Sequence, residues 1–257
     1  MLNLQKIKKM NLKKYIPNLL TLLNLLCGTI ATIYAVNNEL EIAAYLVFLG
    51  IFFDFFDGFA ARIFKVDGEL GKQLDSLADV VTSGVVPGIV IYKLLQTKNT
   101  IEVFNTEIVS WKTQDIEFLP FFGLLFTLAA AFRLAKFNID ERQTSSFIGL
   151  PTPAATLVVL SLPLILNYSS LDFTTTIIEN KWFLIGLTFI LSFLMNAEIP
   201  LFSLKFKDYS FKNNKIKFGF ILITAILCIA LKFVAIPVVI IVYVLMSFFY
   251  NKKSFAK

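Results

Sequence analysis

The chain has 257 residues, of which 57% are apolar and only 16% charged, with a mean hydropathy of +0.74 and a formal net charge of +6. Soluble globular domains are roughly 45–50% apolar and about 25% charged, so this composition excludes a typical soluble enzyme, a disordered chain and a fibrous protein. His is absent, which excludes His-based triads, His general bases and His metal sites. The two cysteines, Cys27 and Cys228, lie in apolar runs far apart and suggest neither a disulfide scaffold nor a zinc site.

Residues 1–15 are Lys-rich, with Leu2, Leu4, Ile7, Met10 and Leu12 interleaved. This basic cytoplasmic segment reads either as an amphipathic helix lying on anionic lipid or as a plain topogenic tail. It does not read as a cleaved signal peptide, because the apolar run after it is span-length and no small-residue cleavage site follows. Apolar runs then recur at about 16–36, 40–65, 73–96, 118–138, 149–168, 181–198, 216–232 and 234–250. The last two divide one long stretch at Lys232 and Pro237. A lone extended segment in a bilayer would leave its backbone N–H and C=O groups unpaired, so each run is expected to be a helix. The expected fold is therefore all-α: a polytopic membrane bundle of about eight transmembrane helices. The longest polar stretch, about 97–117, is too short for a soluble domain.

Eight crossings place both termini on one side. If that side is cytoplasmic, 19 of the 24 basic residues lie inside, and only Lys93, Lys98, Lys112, Lys181 and Lys232 lie outside. The positive-inside rule thus predicts cytoplasmic termini in a multi-pass protein of the cell membrane.

Four acids break the apolar pattern. Asp54 and Asp57 sit in the second run, and Asp75 and Asp79 near the start of the third. Helical residues at i, i+3 and i+4 share a face, so each pair projects together. The short connection between the runs, containing Gly68 and Gly71, makes the two helices antiparallel neighbours whose four carboxylates can converge near the cytoplasmic interface. Each intramembrane Asp costs roughly 2.5–3.5 kcal/mol even on a lenient insertion scale. Either the cluster holds protons or cations neutralise it. Clustered oxygens without His or thiolate suit hard ions such as Mg²⁺, Mn²⁺ or Ca²⁺, and four acids can hold two of them. Arg62, two turns beyond Asp54, is either an interfacial charge or a bidentate phosphate ligand. Gly58 and Ala61 clear space for a ligand or a neighbouring helix.

Together these residues read Asp57-Gly58-x2-Ala61-Arg62-x8-Gly71-x3-Asp75-x3-Asp79, with Asp54 three positions upstream. The spacing resembles the signature of the CDP-alcohol phosphatidyltransferases, integral membrane enzymes that displace CMP from a CDP-linked lipid with an alcohol hydroxyl. The resemblance implies that Asp54, Asp57, Asp75 and Asp79 hold two divalent cations, Mg²⁺ or Mn²⁺, on the pyrophosphate, and that Asp79 is also the general base. It implies that Gly58, Ala61, Arg62, Gly68 and Gly71 form the CDP-lipid site. Pro17-Asn18-Leu19-Leu20-Thr21 resembles the segment that helps bind the nucleotide, which adds Asn18 and Thr21. The resemblance further implies a six-helix core over 16–200, two additional helices and a basic tail over 201–257, and a homodimer.

Phe132-Arg133-Leu134-Ala135-Lys136-Phe137-Asn138 and Phe147-Ile148-Gly149-Leu150-Pro151-Thr152-Pro153-Ala154-Ala155 resemble segments of the phosphatidylserine synthase branch. That branch implies CDP-diacylglycerol and L-serine as substrates, with Arg133, Lys136 and Arg142 as candidates for binding the serine carboxylate. Two other readings stand beside it. One is a member of the same family with a glycerol phosphate or inositol phosphate acceptor. The other is a cation transporter with paired Asp residues in its pathway.

Overall fold

The computed structural model describes residues 15–66, 68–96, 118–140, 147–202 and 214–255. Helix α1 (Ile16–Val36) begins with Pro17 in its first turn, where a missing N–H costs nothing. It turns through Asn37 and Asn38, the latter at φ 65°, into α2 (Leu40–Phe64). Lys65 ends α2 in the left-handed conformation, its N–H bonded to the Ala61 carbonyl. Gly68 then leads into α3 (Glu69–Val80). α3 starts before the third apolar run because its first turns are amphipathic rather than apolar.

A five-residue π turn, Val81–Val85, joins α3 to α4 (Val86–Leu95). Pro87 explains part of it: without an N–H, Pro87 cannot serve the Ser83 carbonyl four residues back. The Thr156 hydroxyl donates to that carbonyl at 2.7 Å, and the Thr127 hydroxyl donates to the next one, on Gly84, at 2.9 Å. Neighbouring helices thus satisfy backbone groups that would otherwise be orphaned in an apolar surround.

A 3₁₀ turn, Leu119–Gly123, opens α5 (Leu124–Ile139). Strand β1 (Phe147–Ile148) pairs antiparallel with β2 (Pro200–Leu201). Between them run α6 (Thr152–Tyr168), the short α7 (Asp172–Ile178) and α8 (Lys181–Asn196). The Asn180 side chain caps α8 by accepting from the N–H groups of Trp182 and Phe183. Helix α9 (Lys215–Leu231) reaches α10 (Ala235–Phe255) through a 3₁₀ turn at Lys232–Val234.

Among the described residues, five helical stretches are long and apolar enough to cross a membrane, or six if the α7–α8 pair, bent by 73°, counts as one. α6 is apolar but has only 17 residues. The stretch Lys215–Phe248 is not one straight rod. The rings of Phe220 and Tyr243 lie 5.7 Å apart, whereas 23 residues of straight helix span about 35 Å. α9 and α10 fold back on each other at Lys232, which has φ 51°, and Phe202 packs on both rings.

Glycines set the closest approaches. A Cβ at Gly28 of α1 would stand 2.9 Å from the Thr82 Cα, and one at Gly50 of α2 would stand 2.8 Å from the Thr82 Cγ2. Thr82 therefore wedges its backbone and methyl into a notch shared by α1 and α2, and its hydroxyl donates to the Asn24 carbonyl at 3.1 Å. This is small-residue packing of the kind that holds helices together where no hydrophobic driving force separates them from lipid.

α2 and α3 each pack against α1, and the end of α2 and the start of α3 line one cleft between them.

Gly149 lies at φ 75°, and an added Cβ would fall 2.5 Å from the Met195 carbonyl oxygen. Its N–H donates to Ile199 O and that of Leu150 to Leu194 O, clipping this segment to the end of α8. Gly149→Ala combines left-handed strain with a backbone clash, and strain of this type costs about 1–3 kcal/mol. The expected outcome is a lower thermal midpoint in detergent, read from a fluorescence melt against wild type.

Candidate active site

The site is built on one face of α1. Asn18, Thr21 and Asn24 recur at i, i+3 and i+6 along an otherwise apolar helix, which stacks three polar side chains in a stripe. The stripe faces the carboxylates of α2 and α3. The Thr21 hydroxyl donates to Asp57 Oδ2 at 2.5 Å, and the Asn24 amide donates to Asp79 Oδ1 at 3.1 Å. Gly71 lets the start of α3 come close: a Cβ there would lie 3.2 Å from Asn18 Oδ1.

Asp54, Asp57 and Asp75 each offer one oxygen, and these oxygens all lie within 4.8 Å of one another. Asp57 is buried and the other two are half-buried. Asp75 Oδ1 is buried without a hydrogen-bond partner among the described residues. An orphaned carboxylate oxygen inside an all-oxygen cluster fits a hard cation, which would supply the missing partner. Asp79 is buried and stands outside this trio, held by Asn24. Three of the four acids thus offer oxygens within this distance of one another, and Asp79 adjoins them closely enough to act electrostatically on Asp54.

Pro17, Asn18, Thr21, Asp57, Gly58, Ala61, Val66, Gly68, Gly71, Lys72 and Asp75 line a cleft of about 570 Å³. Among the described residues nothing lies within 4 Å of a Cβ built on Gly58 or Gly68, so their packing does not demand glycine at either position, and their bareness keeps the cleft open. Arg62, one residue past Ala61, is exposed and is not part of this lining. A cavity of about 770 Å³ at the other end of α1 contains one acid, Glu39, and no carboxylate cluster.

The fourth and fifth runs contribute a buried cation. Arg133 of α5 donates from Nη1 to Thr152 Oγ1 at 3.0 Å, its guanidinium lies 5.8 Å from the centre of the Phe137 ring, and its Nε has no partner among the described residues. It acts electrostatically on Asp79. Lys136 pairs with Glu198 at 3.4 Å, which engages it with the segment following α8. Arg142 lies outside the described residues, as do residues 1–14. Lys72 Nζ donates to the Asn138 carbonyl at 2.6 Å, and the Asn138 amide donates to Ser76 Oγ at 2.8 Å. These bonds fasten the end of α5, and Arg133 with it, to the helix bearing Asp75 and Asp79.

Sequence reasoning missed Asn24, Lys72 and Thr152. For Asn24 a signal was present, since it continues the three-residue polar repeat begun by Asn18 and Thr21. Thr152 lay within the Phe147–Ala155 segment that carried the branch resemblance, but nothing there singled it out; Lys72 carried no signal, because a cation near a helix start has ordinary structural uses.

Comparison with known proteins identifies a family. The CDP-alcohol phosphatidyltransferase family profile matches residues 14–195. The chain is 35% identical over 153 residues to the CDP-diacylglycerol–serine O-phosphatidyltransferase of Bacillus subtilis (strain 168), covering 57% of this chain and 75% of that protein. It is 33% identical over 186 residues to the protein of the same name from Helicobacter pylori (strain J99), covering 71% of this chain and 70% of the relative. It is also 31% identical over 159 residues to the archaetidylserine synthase of Methanothermobacter thermautotrophicus, covering 61% of each. The matched region contains all four acids, the polar stripe of α1 and Arg133, and on this evidence the chain belongs to the CDP-alcohol phosphatidyltransferase family.

Proposed function

We propose that this protein transfers the phosphatidyl group of CDP-diacylglycerol to the hydroxyl of L-serine, giving phosphatidylserine and CMP. The observation that carries the reading is the trio Asp54, Asp57 and Asp75 beside an open cleft, in a chain whose relatives are named for this transfer. In this reading the chain crosses the cell membrane eight times, with both termini and the cleft on the cytoplasmic side. The charge asymmetry along the sequence supports that orientation. Residues 16–200 form the catalytic core, residues 201–257 add the α9–α10 hairpin, and the protein works as a homodimer, as the family resemblance implies.

Asp54, Asp57 and Asp75, with Asp79 at the edge, would hold two divalent ions, Mg²⁺ or Mn²⁺. When bound, such ions supply charge neutralisation on the pyrophosphate and on the departing CMP. Asn18, Thr21, Gly58, Ala61, Gly68 and Gly71 shape the space for the CDP group, and Arg62 is available to its phosphates from the rim. Arg133 fits the serine carboxylate: it is buried, its Nε has no partner among the described residues, it is held by Thr152, and it acts electrostatically on Asp79. Asp79 accepts the serine hydroxyl proton while the oxygen attacks the β-phosphorus. The new phosphorus–oxygen bond forms as the bond to CMP breaks, and the electron pair leaves on CMP.

The test is CMP release from CDP-diacylglycerol by the purified membrane protein, with radiolabelled serine. Wild type should release CMP only with serine, place the label in lipid, and stop when EDTA is added. Release driven instead by glycerol phosphate or inositol phosphate would reassign the acceptor. Metal flux without CDP-lipid turnover would assign a transporter.

Asp75→Asn should abolish release, and Asp79→Asn should lower kcat by about 10²–10⁴-fold, the usual contribution of a positioned base. Wild-type turnover in Asp79→Asn would refute the base assignment. Arg133→Gln should raise the KM for serine more than that for CDP-diacylglycerol, and initial-rate kinetics in both substrates would measure the split.

A further inference from the structure

Two cavities meet at the end of the bundle farthest from the acids. Arg133 bonds Thr152, the first residue of α6, and Tyr168, the last, is about 24 Å away along the helix axis. Beside Tyr168, the residues Ser169, Ser170, Lys232 and Phe233 line a small cavity of about 240 Å³. Val234 lines it too, and Val234 also opens a groove of about 560 Å³ between α6, α7, α8 and α10. From this continuity we infer that the protein binds one anionic phospholipid of the leaflet opposite the active site, with its phosphate at Lys232 and an acyl chain in the groove. The inference goes beyond the proposed transfer and takes from that reading only the membrane orientation.

The groove has the character and the length of a lipid chain. Leu162 of α6, Ile178 of α7, Leu191 of α8 and Ile241 of α10 line it. The one hydroxyl among its lining residues, on Thr174, donates to the Leu171 carbonyl at 2.7 Å, so the groove suits hydrocarbon. Its α10 wall runs from Val234 to Leu245, about 16 Å of helix. Half of a bilayer's hydrocarbon core is about 15 Å thick. A transmembrane helix of a second copy would need a groove through the whole core, about twice that length. A void of this size is foreign to a close-packed interior, and acyl chains are the medium around it.

The mouth of the groove supplies the charge complement. The Lys232 side chain is exposed and makes no ion pair or hydrogen bond among the described residues. Two ordinary explanations of this lysine fail. Its backbone, at φ 51° and ψ −123°, has the shape that Gly favours at the first central position of a type II′ turn, so the turn does not ask for a long side chain. Nor does topology ask for a cation here, because the positive-inside rule collects basic residues on the other side. Trp182, 77% exposed at the start of α8 on the same end, marks the level of the interface, where aromatic rings gather. A phosphate at this level would meet the Lys232 ammonium and the Ser169 and Ser170 hydroxyls. Its acyl chain would descend past Val234 and fasten the α9–α10 hairpin to the core.

The experiment records thermal midpoints and native mass spectra of the full-length protein in mild detergent. The probes are dioleoylphosphatidylglycerol, dioleoylglycerol, which has the same chains without phosphate, and inorganic phosphate. Phosphatidylglycerol should raise the midpoint and remain bound, one per protomer, while the other two should do neither. Lys232→Gln should weaken retention about fivefold, the worth of one basic residue beside an anionic lipid, and Lys232→Arg should restore it. Ile241→Trp should block the groove and remove retention. If that variant fails to assemble, the Lys232 pair still decides the question at an exposed position. Equal stabilisation by dioleoylglycerol, or by inorganic phosphate, would overturn the inference, the first by removing phosphate recognition and the second by making this a site for the free ion. Undiminished retention in Lys232→Gln would overturn it as well. A change from dimer to monomer in Ile241→Trp, with lipid retention intact, would assign the groove to a second copy instead. Serine-dependent CMP release, assayed alongside, reports on the proposed function separately: its absence from wild type would leave the lipid site standing, and failure of lipid retention would leave the transfer standing.

Discussion

A carboxylate in an apolar helix is unstable unless something answers its charge, and this fold is arranged around that constraint. Asp54, Asp57, Asp75 and Asp79 come from two helices that together would repel each other and resist burial. The answer comes from a third helix. α1 is apolar except for the stripe Asn18, Thr21 and Asn24, and two of those residues donate to Asp57 and Asp79. What α1 leaves unanswered, above all Asp75 Oδ1, is where a hard cation fits the donor set.

Holding α1 against both acid-bearing helices requires close backbone approach, and the glycines supply it. Gly28 and Gly50 form the notch for Thr82, and Gly71 admits Asn18. Farther from the acids the same logic recurs, where a Cβ at Gly123 would fall 2.6 Å from the Tyr92 nitrogen. Gly58 and Gly68 behave differently, because among the described residues they meet nothing and keep space open. The motif thus contains two kinds of glycine, one that brings helices together and one that leaves room between them. The π turn belongs to the first group, since its freed carbonyls are bound by Thr127 and Thr156 and so fasten α5 and α6 to the acid-bearing helix.

The order of the helices was legible in the chain because helical span length and apolar runs are local properties. The pairing of Asp54 with Asp57 and of Asp75 with Asp79 was legible for the same reason: i, i+3 and i+4 spacing places residues on one face whatever the surroundings. Asn24 lay within reach of that reasoning, on the same repeat as Asn18 and Thr21. The break at Lys232 was also readable, because a cation and a nearby proline interrupt an otherwise continuous apolar stretch, and the contact of Phe220 with Tyr243 makes the fold-back explicit. The π turn was not readable. Pro87 announces that one carbonyl loses its donor, but the hydroxyls that replace it come from residues about 40 and 70 positions later in the chain.

By itself the amino-acid sequence determined that this is a helical membrane protein, which acids share a face, and which family those acids announce, because each of these depends on composition or on spacing within a few turns. Only the tertiary structure decided that Asp54, Asp57 and Asp75 meet while Asn24 bonds Asp79, that α2 and α3 both pack against α1, and that Arg133 is gripped by Thr152 while Lys136 turns to Glu198. Those outcomes depend on how far each helix is rotated about its axis and how near its neighbour lies. Rotation and distance are set by side chains meeting across large separations in the chain, where spacing along one helix carries no information.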